Sequence, residues 1–209
     1  MLRELAAGGR IYLQDEASQL VAQTVNLQPG ERVLDLCAAP GGKSTLIAQR
    51  DKDSALIVAS DRSAKRLETV TRTSALHKLN QIKSVVLDAK QPLPFADRVF
   101  DRILVDAPCS GTGTLRRNPE IRWRISETDI HELAAQQKLF LKHAARALKP
   151  GGQLVYSTCS VEHDENEQVI EAFQREREEF KLIKTVRLWP QREGTDGFFI
   201  ASLQLATQQ

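Results

Sequence analysis

Apolar residues in this chain gather in short continuous runs, and between the runs they recur every three or four positions. Arg32-Val33-Leu34-Asp35-Leu36, Ala55 to Ser60, Val85-Val86-Leu87, Arg102 to Val105, Gln153 to Ser157 and Phe198 to Leu203 read as strands. Short apolar runs bounded by turn residues fit strands that are buried on both faces. Helical spacing predicts helices over Gln14 to Val25, Lys43 to Gln49, Ala64 to Leu79, Thr128 to Leu148 and Glu165 to Arg175. In the fourth of these, Ile130, Leu133, Leu139 and Leu141 mark the apolar face, and Lys149-Pro150-Gly151-Gly152 stops it. Pro92 and Pro94 place a loop before the fourth strand. Strands alternating with helices predict an α/β fold, a doubly wound and mostly parallel sheet covered on both faces.

A length of 209 residues suits one domain with a sizeable core. The expected division is a lead-in helical segment over 1–26 and a Rossmann-like core over 27–209. No run reads as a membrane span, and the start, Met1-Leu2-Arg3-Glu4-Leu5, has no apolar signal region. Three cysteines, an odd number without a secretory signal, predict reduced thiols in a cytoplasmic protein. His77, His131, His143 and His163 are scattered, so no metal site is expected. The net charge of +2 says little about partners, but its distribution says more. Arg116, Arg117, Arg122 and Arg124 cluster around Trp123. That composition suits either a surface that holds a nucleic-acid backbone and stacks a base, or an ordinary solvated loop.

Candidate chemistry lies just past the strands, where open α/β sheets bind ligands. Cys109 follows Ile103-Leu104-Val105-Asp106-Ala107-Pro108, and Cys159 follows Leu154-Val155-Tyr156-Ser157-Thr158. A free cysteine often only fills space, but two thiols and a carboxylate at one sheet edge point to nucleophilic chemistry. There is no Cys-X-X-Cys pair to support a thiol redox role. After the first strand, Cys37-Ala38-Ala39-Pro40-Gly41-Gly42-Lys43-Ser44 opens a helix with adjacent glycines, which allow close backbone approach to a ligand. Its end resembles a P-loop, but the position that needs the first glycine holds Cys37, and Pro40 stiffens the turn. Asp61 ends the second strand, where a ribose-binding carboxylate sits in doubly wound folds, and Asp88 ends the third. Asp61 also suits a helix N-cap. Together the two acids favour a nucleoside ligand without phosphates, such as S-adenosylmethionine.

Asp35 to Lys43, Asp106-Ala107-Pro108-Cys109-Ser110 and Ser157-Thr158-Cys159-Ser160 together resemble the Sun (Fmu) family of RNA cytosine-C5 methyltransferases. Gly111 to Ile121, Glu165-Asn166-Glu167 and Gly194 to Phe199 extend the resemblance, which runs from about Gln14 to Leu203. It implies a Rossmann-like class I methyltransferase fold and S-adenosylmethionine as cofactor. Cys37, Ala38, Ala39, Pro40, Gly41, Gly42, Lys43, Asp61, Arg66, Asp88 and Asp106 would hold it. The implied chemistry is thiolate attack by Cys159 on C6 of a cytosine, with Cys109 serving release. Asp106, in protonated form, would donate to N3, and Lys43 would orient Asp106 or the base. The target must leave its stack to reach Cys159, so the RNA is expected to be single-stranded or flipped. Arg116, Arg117, Arg122, Trp123 and Arg124 would hold the flanking backbone. The resemblance favours 16S ribosomal RNA over transfer RNA. Other classes are a non-catalytic RNA- and cofactor-binding assembly factor and a small-molecule methyltransferase. The paired cysteines weigh against both. Relatives usually carry an extra N-terminal RNA-binding region, expected to be missing here, and a monomer is expected.

Overall fold

The computed structural model describes residues 1–51 and 54–207. The elements in order are α1 (Leu2–Ala7), α2 (Glu16–Thr24), β1 (Arg32–Asp35), α3 (Gly42–Gln49), β2 (Leu56–Asp61), α4 (Ala64–Leu76), β3 (Ile82–Val86) and β4 (Phe100–Asp106). There follow α5 (Ile121–Arg124), α6 (Glu127–Ala147), β5 (Leu148–Thr158), α7 (Glu167–Glu176), β6 (Phe180–Leu188), α8 (Pro190–Glu193) and β7 (Phe198–Leu205). One sheet holds the strands in the order β3-β2-β1-β4-β5-β7-β6. Pairings from β3 to β5 are parallel, while β7 runs antiparallel between β5 and β6. The chain winds outward in both directions from β1 and β4, so the crevice for a ligand lies beyond their carboxyl ends.

Side chains alternate across the central strands, and both faces are covered. On one face Leu34, Ile103, Leu154 and Tyr156 pack with Phe140, Leu141 and Ile170 of α6 and α7. On the other, Val33, Ile57, Leu104 and Val155 pack with Val21, Ile47 and Val70 of α2, α3 and α4. Helices α2, α4 and α6 start on side-chain caps: Asp15 accepts from Ala17 N, Ser63 from Arg66 N, and Ser126 and Asp129 form a reciprocal capping box on α6. The cap of α4 is therefore Ser63 and not Asp61, whose carboxylate instead accepts from Ser63 N.

Several boundaries differ from the sequence expectation. β3 starts at Ile82 because its ladder to β2 begins there, although Lys83 and Ser84 are solvent-facing. Asp88 consequently lies two residues past the strand end. The stop of α6 comes at Ala147. Leu148 already pairs with Phe100, and the Pro-Gly-Gly segment is absorbed as an irregularity in the β4–β5 register. Glu165 and Asn166 precede α7 and are not part of it. β6 carries no apolar alternation; Lys181, Leu182, Ile183 and Lys184 all face solvent on an edge strand. Among the described residues, no helix is long and apolar enough to cross a membrane.

Candidate active site

The ends of β4 and β5 bring the two predicted thiols together. Cys109 Sγ lies 3.4 Å from Cys159 Sγ, and both residues are half-buried. Beside them Lys43 Nζ is 2.7 Å from Asp106 Oδ2, with side-chain exposures of only 14% and 23%. Ser157 Oγ donates to Asp106 Oδ1 at 2.7 Å. Both oxygens of Asp106 thus already accept hydrogen bonds, one from an ammonium. Both partners donate to it, which is the setting of an acceptor, whereas the expectation from the sequence is that Asp106 itself donates to N3.

The two thiols are electrostatically unequal. The hydrogen bond from Cys109 holds the Cys159 thiol below its ordinary range, opposed by burial and Asp106 and assisted by Lys43. Cys109 is pushed well up because its proton is held on Cys159 and because it is buried. One sulfur is prepared as a thiolate and the other keeps its hydrogen. Burial works against the charge on Lys43, but the attraction and hydrogen bond of Asp106 more than offset it and raise its pKa. A cation in the first turn of a helix is disfavoured by the helix dipole. Asp106 supplies the compensation, so Lys43 is no solvated surface lysine.

Local backbone explains how Lys43 gets there. Gly41 has φ of 106°, and an added Cβ would meet the Val70 backbone at 3.1 Å. Only glycine turns the chain from β1 into α3 at that spot. The Ala39–Pro40 peptide just before it is cis.

A cavity of about 530 Å³ opens over this centre. Asp35, Cys37, Lys43, Asp106 and Cys159 line its floor, and Tyr12, Gln14, Asp15, Arg117, Asp196 and Phe198 line the rest. A second cavity of about 190 Å³ is lined by Cys37, Asp61, Arg66, Asp88, Pro108 and Phe140, so Cys37 borders both. Burial and the nearby Asp35 push the Cys37 thiol well up, so it lines the site as an inert thiol. Arg66 lies 3.2 Å from Asp61 and donates to Ala39 O at 2.8 Å, tying the 37–41 loop to the end of β2. Asp88 is exposed and accepts from Lys90 N. Asp35 accepts from Ser44 Oγ at 2.6 Å on one oxygen, while Oδ1 has no hydrogen-bond partner among the described residues. Burial raises its pKa to about 7.

The arginines divide into two groups. Arg117 pairs with Asp196 and, at 2.8 Å, with Asp15; Arg116 donates to Gly194 O at 2.9 Å. These two knit three distant segments together beside the cavity. Arg122, Trp123 and Arg124 are exposed on α5, with Arg122 stacked 5.5 Å over the Trp123 ring. Sequence reasoning did not single out Asp35, Tyr12, Gln14, Asp15, Asp196 or Phe198 as lining residues. Asp35 was accessible to the same strand-end rule that found Asp61.

A family model described as 16S rRNA methyltransferase RsmB/F matches residues 22–204. The chain belongs to this family. A probable ribosomal RNA small subunit methyltransferase B of Synechocystis is 40% identical over 96% of this chain and 49% of its own length. A Bacillus subtilis protein of the same description is 37% identical over 94% of this chain and 48% of its own. The chain thus spans about half the length of these RsmB/F relatives. The crystal structure of NSun6 from Pyrococcus horikoshii, determined with the S-adenosylmethionine analogue SFG, superposes with a TM-score of 0.89 at 30% identity. It covers 98% of this chain and 56% of the other. The fold is that of the Rossmann-like S-adenosylmethionine-dependent methyltransferases. The site fits that cofactor: an unpartnered buried acceptor, Asp35 Oδ1, lines one cavity, and the carboxylates of Asp61 and Asp88 line the other.

Proposed function

We propose that this chain is an S-adenosylmethionine-dependent RNA cytosine-C5 methyltransferase that acts on 16S ribosomal RNA through a covalent adduct between Cys159 and C6 of the target cytosine. The observation that carries the reading is the 3.4 Å pair of thiols, of which Cys159, the one favoured as thiolate, lines the same cavity as the Asp106–Lys43 pair. Family membership supports ribosomal RNA as the substrate.

Cytosine C5 is a poor nucleophile. Addition of the Cys159 thiolate to C6 moves electron density onto C5, splitting one hard step into easier ones. Asp106 accepts from the exocyclic amine, and the Lys43 ammonium balances the negative charge that reaches N3 as sulfur adds. When bound at Asp35, the 37–43 loop, Asp61 and Asp88, S-adenosylmethionine supplies the electrophilic methyl group that C5 takes. The C5 proton then passes to a base, its electron pair re-forms the C5–C6 double bond, and the C6–S pair returns to Cys159. Cys109 donates its hydrogen bond to the departing sulfur. Around the target, Arg122, Trp123 and Arg124 face solvent in position to hold flanking RNA, and Arg116 and Arg117 shape the adjoining wall. A pocket this size takes a base only out of its stack, so the substrate region is single-stranded or flipped.

The test is radiolabelled S-adenosylmethionine with unmodified 16S RNA, for wild type, Cys159→Ala and Cys109→Ala. The reading expects labelled 5-methylcytosine from wild type, none from Cys159→Ala, and a trapped protein–RNA adduct with Cys109→Ala. Labelling that survives Cys159→Ala overturns the covalent mechanism; label in another nucleotide overturns the cytosine assignment.

A further inference from the structure

Glu165 and Asn166 lie outside the cavity, and their side chains are completely buried. Among the described residues, no ion pair explains Glu165. Its Oε1 accepts from Ser110 N at 2.9 Å and from Gln137 Nε2 at 3.0 Å, and its Oε2 accepts from Ser110 Oγ at 2.5 Å. The neighbouring Asn166 grips the other loop: its Nδ2 donates to Ser160 O at 2.9 Å, and its Oδ1 accepts from Thr158 Oγ1. Ser110 directly follows Cys109, and Ser160 directly follows Cys159. The two serine hydroxyls meet at 3.1 Å. Two adjacent residues therefore each hold the backbone beside one thiol, and the network closes between them.

We propose that the Glu165–Asn166 pair is a positioning clamp that sets the separation of the Cys109 and Cys159 thiols. The role rests on reading those thiols as the reacting and releasing groups, but the geometry it describes does not. Burying a carboxylate without a cation is costly, and a fold seeking only stability would fill the position with a neutral or apolar group. The chemistry of the site explains the choice. Three donors converge on this side chain, and only a carboxylate offers acceptors on both oxygens. A glutamine there presents an amide N–H to a donor, so the Cys109 loop must shift. Asn166 is the complementary choice, because its loop offers one donor and one acceptor. An error of about 1 Å in such positioning costs on the order of a hundredfold in rate.

The experiment measures the thiol pair directly and then the chemistry. Wild type, Glu165→Gln and Ser110→Ala are treated with diamide, a two-electron oxidant that becomes the hydrazine as two thiols form a disulfide. Mass spectrometry quantifies the Cys109–Cys159 linked peptides over time. In parallel, calorimetry gives S-adenosylmethionine affinity, thermal melting gives Tm, and RNA methylation gives kcat and KM. The clamp expects the linking rate to fall by about tenfold or more in Glu165→Gln, kcat to fall by about tenfold to a hundredfold, and cofactor affinity and RNA KM to stay within about twofold. Ser110→Ala, which removes one hydroxyl and keeps the backbone N–H, shows the same pattern in smaller measure and carries the test if Glu165→Gln does not fold. A lower Tm with unchanged linking rate and kcat overturns the proposal and leaves the pair as stabilising residues only. If linking slows as expected but even wild type fails to methylate RNA, the clamp stands and the functional reading falls.

Discussion

At Lys43, one side chain acts on neighbours at the ends of two strands. It neutralises Asp106 at 2.7 Å and helps hold Cys159 below the ordinary thiol range, after the hydrogen bond from Cys109. A Lys43→Met change removes that assistance, so the thiolate forms at higher pH. The rise of kcat/KM with pH should therefore shift upward, and activity near neutrality should drop by about a hundredfold, part of it regained in alkaline buffer. A methylation pH profile checks this; an unmoved inflection would sink the assignment. Asp35 makes a second prediction with the opposite physical origin. Its folded pKa, about 7, exceeds the unfolded value of roughly 4. Between those values the folded chain binds a proton that the unfolded chain has lost, so stability declines as pH rises through that window. Above it, the buried anion costs on the order of a few kcal/mol. Asp35→Asn should melt above wild type at pH 8 and show a flatter Tm between pH 4 and 7 in a melting series. Parallel Tm curves for the two proteins would show that Asp35 is not the titrating group.

Besides the Arg116 and Arg117 contacts, glycine backbones lock the loops after β4 and β5 to the turn before β7. Gly113 N donates to Cys159 O at 3.0 Å, and Gly197 N donates to Gly113 O at 2.8 Å. A Cβ on Gly113 would sit 2.1 Å from Gly197 O, a backbone atom that cannot rotate away. Gly113→Ala should cost at least about 3 kcal/mol, lowering Tm by roughly 2–4 °C per kcal/mol in a chain of this size, as differential scanning calorimetry would show. A Tm change under a degree would mean that the loops yield. Such contacts also mark the limit of what the sequence displays. The central strands were legible because both their faces are buried, as with Val33 and Leu34 or Ile103 and Leu104. The strand-end rule then located Asp61, Asp106, Cys109 and Cys159. β6 was not legible, since an edge strand can face water along Lys181 to Lys184 and leaves no periodic trace. Nor were the partners of Arg117, because Asp15 and Asp196 reach it only after the chain has wound into the sheet. Glu165 stood out as part of a motif, but its burial against Ser110 belongs to tertiary structure alone.

For the whole molecule, a net charge of +2 gives no general attraction to RNA, so any grip must come from where the cations stand. The arginines beside the cavity are not equivalent in this respect. Arg117 is neutralised by Asp196 and Asp15, and Arg116 is held by Gly194 O and lies 3.6 Å from Asp196. Arg122 and Arg124 are exposed on α5 beside a Trp123 that is 75% exposed, an aromatic surface on which a base can stack. Each phosphate contact to single-stranded RNA contributes about 0.7 to the slope of log K against log salt concentration. The double change Arg122→Gln and Arg124→Gln should therefore make that slope shallower by about 1.4, while Trp123→Ala weakens binding by about 1–3 kcal/mol with the slope unchanged. Arg116→Gln with Arg117→Gln should instead lower Tm and leave the slope nearly intact, because the charges removed were already spent on Asp196 and Asp15. Fluorescence anisotropy on a labelled RNA strand, titrated across salt concentrations, separates the two groups. A slope that changes equally for both pairs would mean that RNA draws Arg116 and Arg117 out of their ion pairs. The wall of the cavity would then open on binding, and Asp15 and Asp196 would be left to repel the backbone that displaced them.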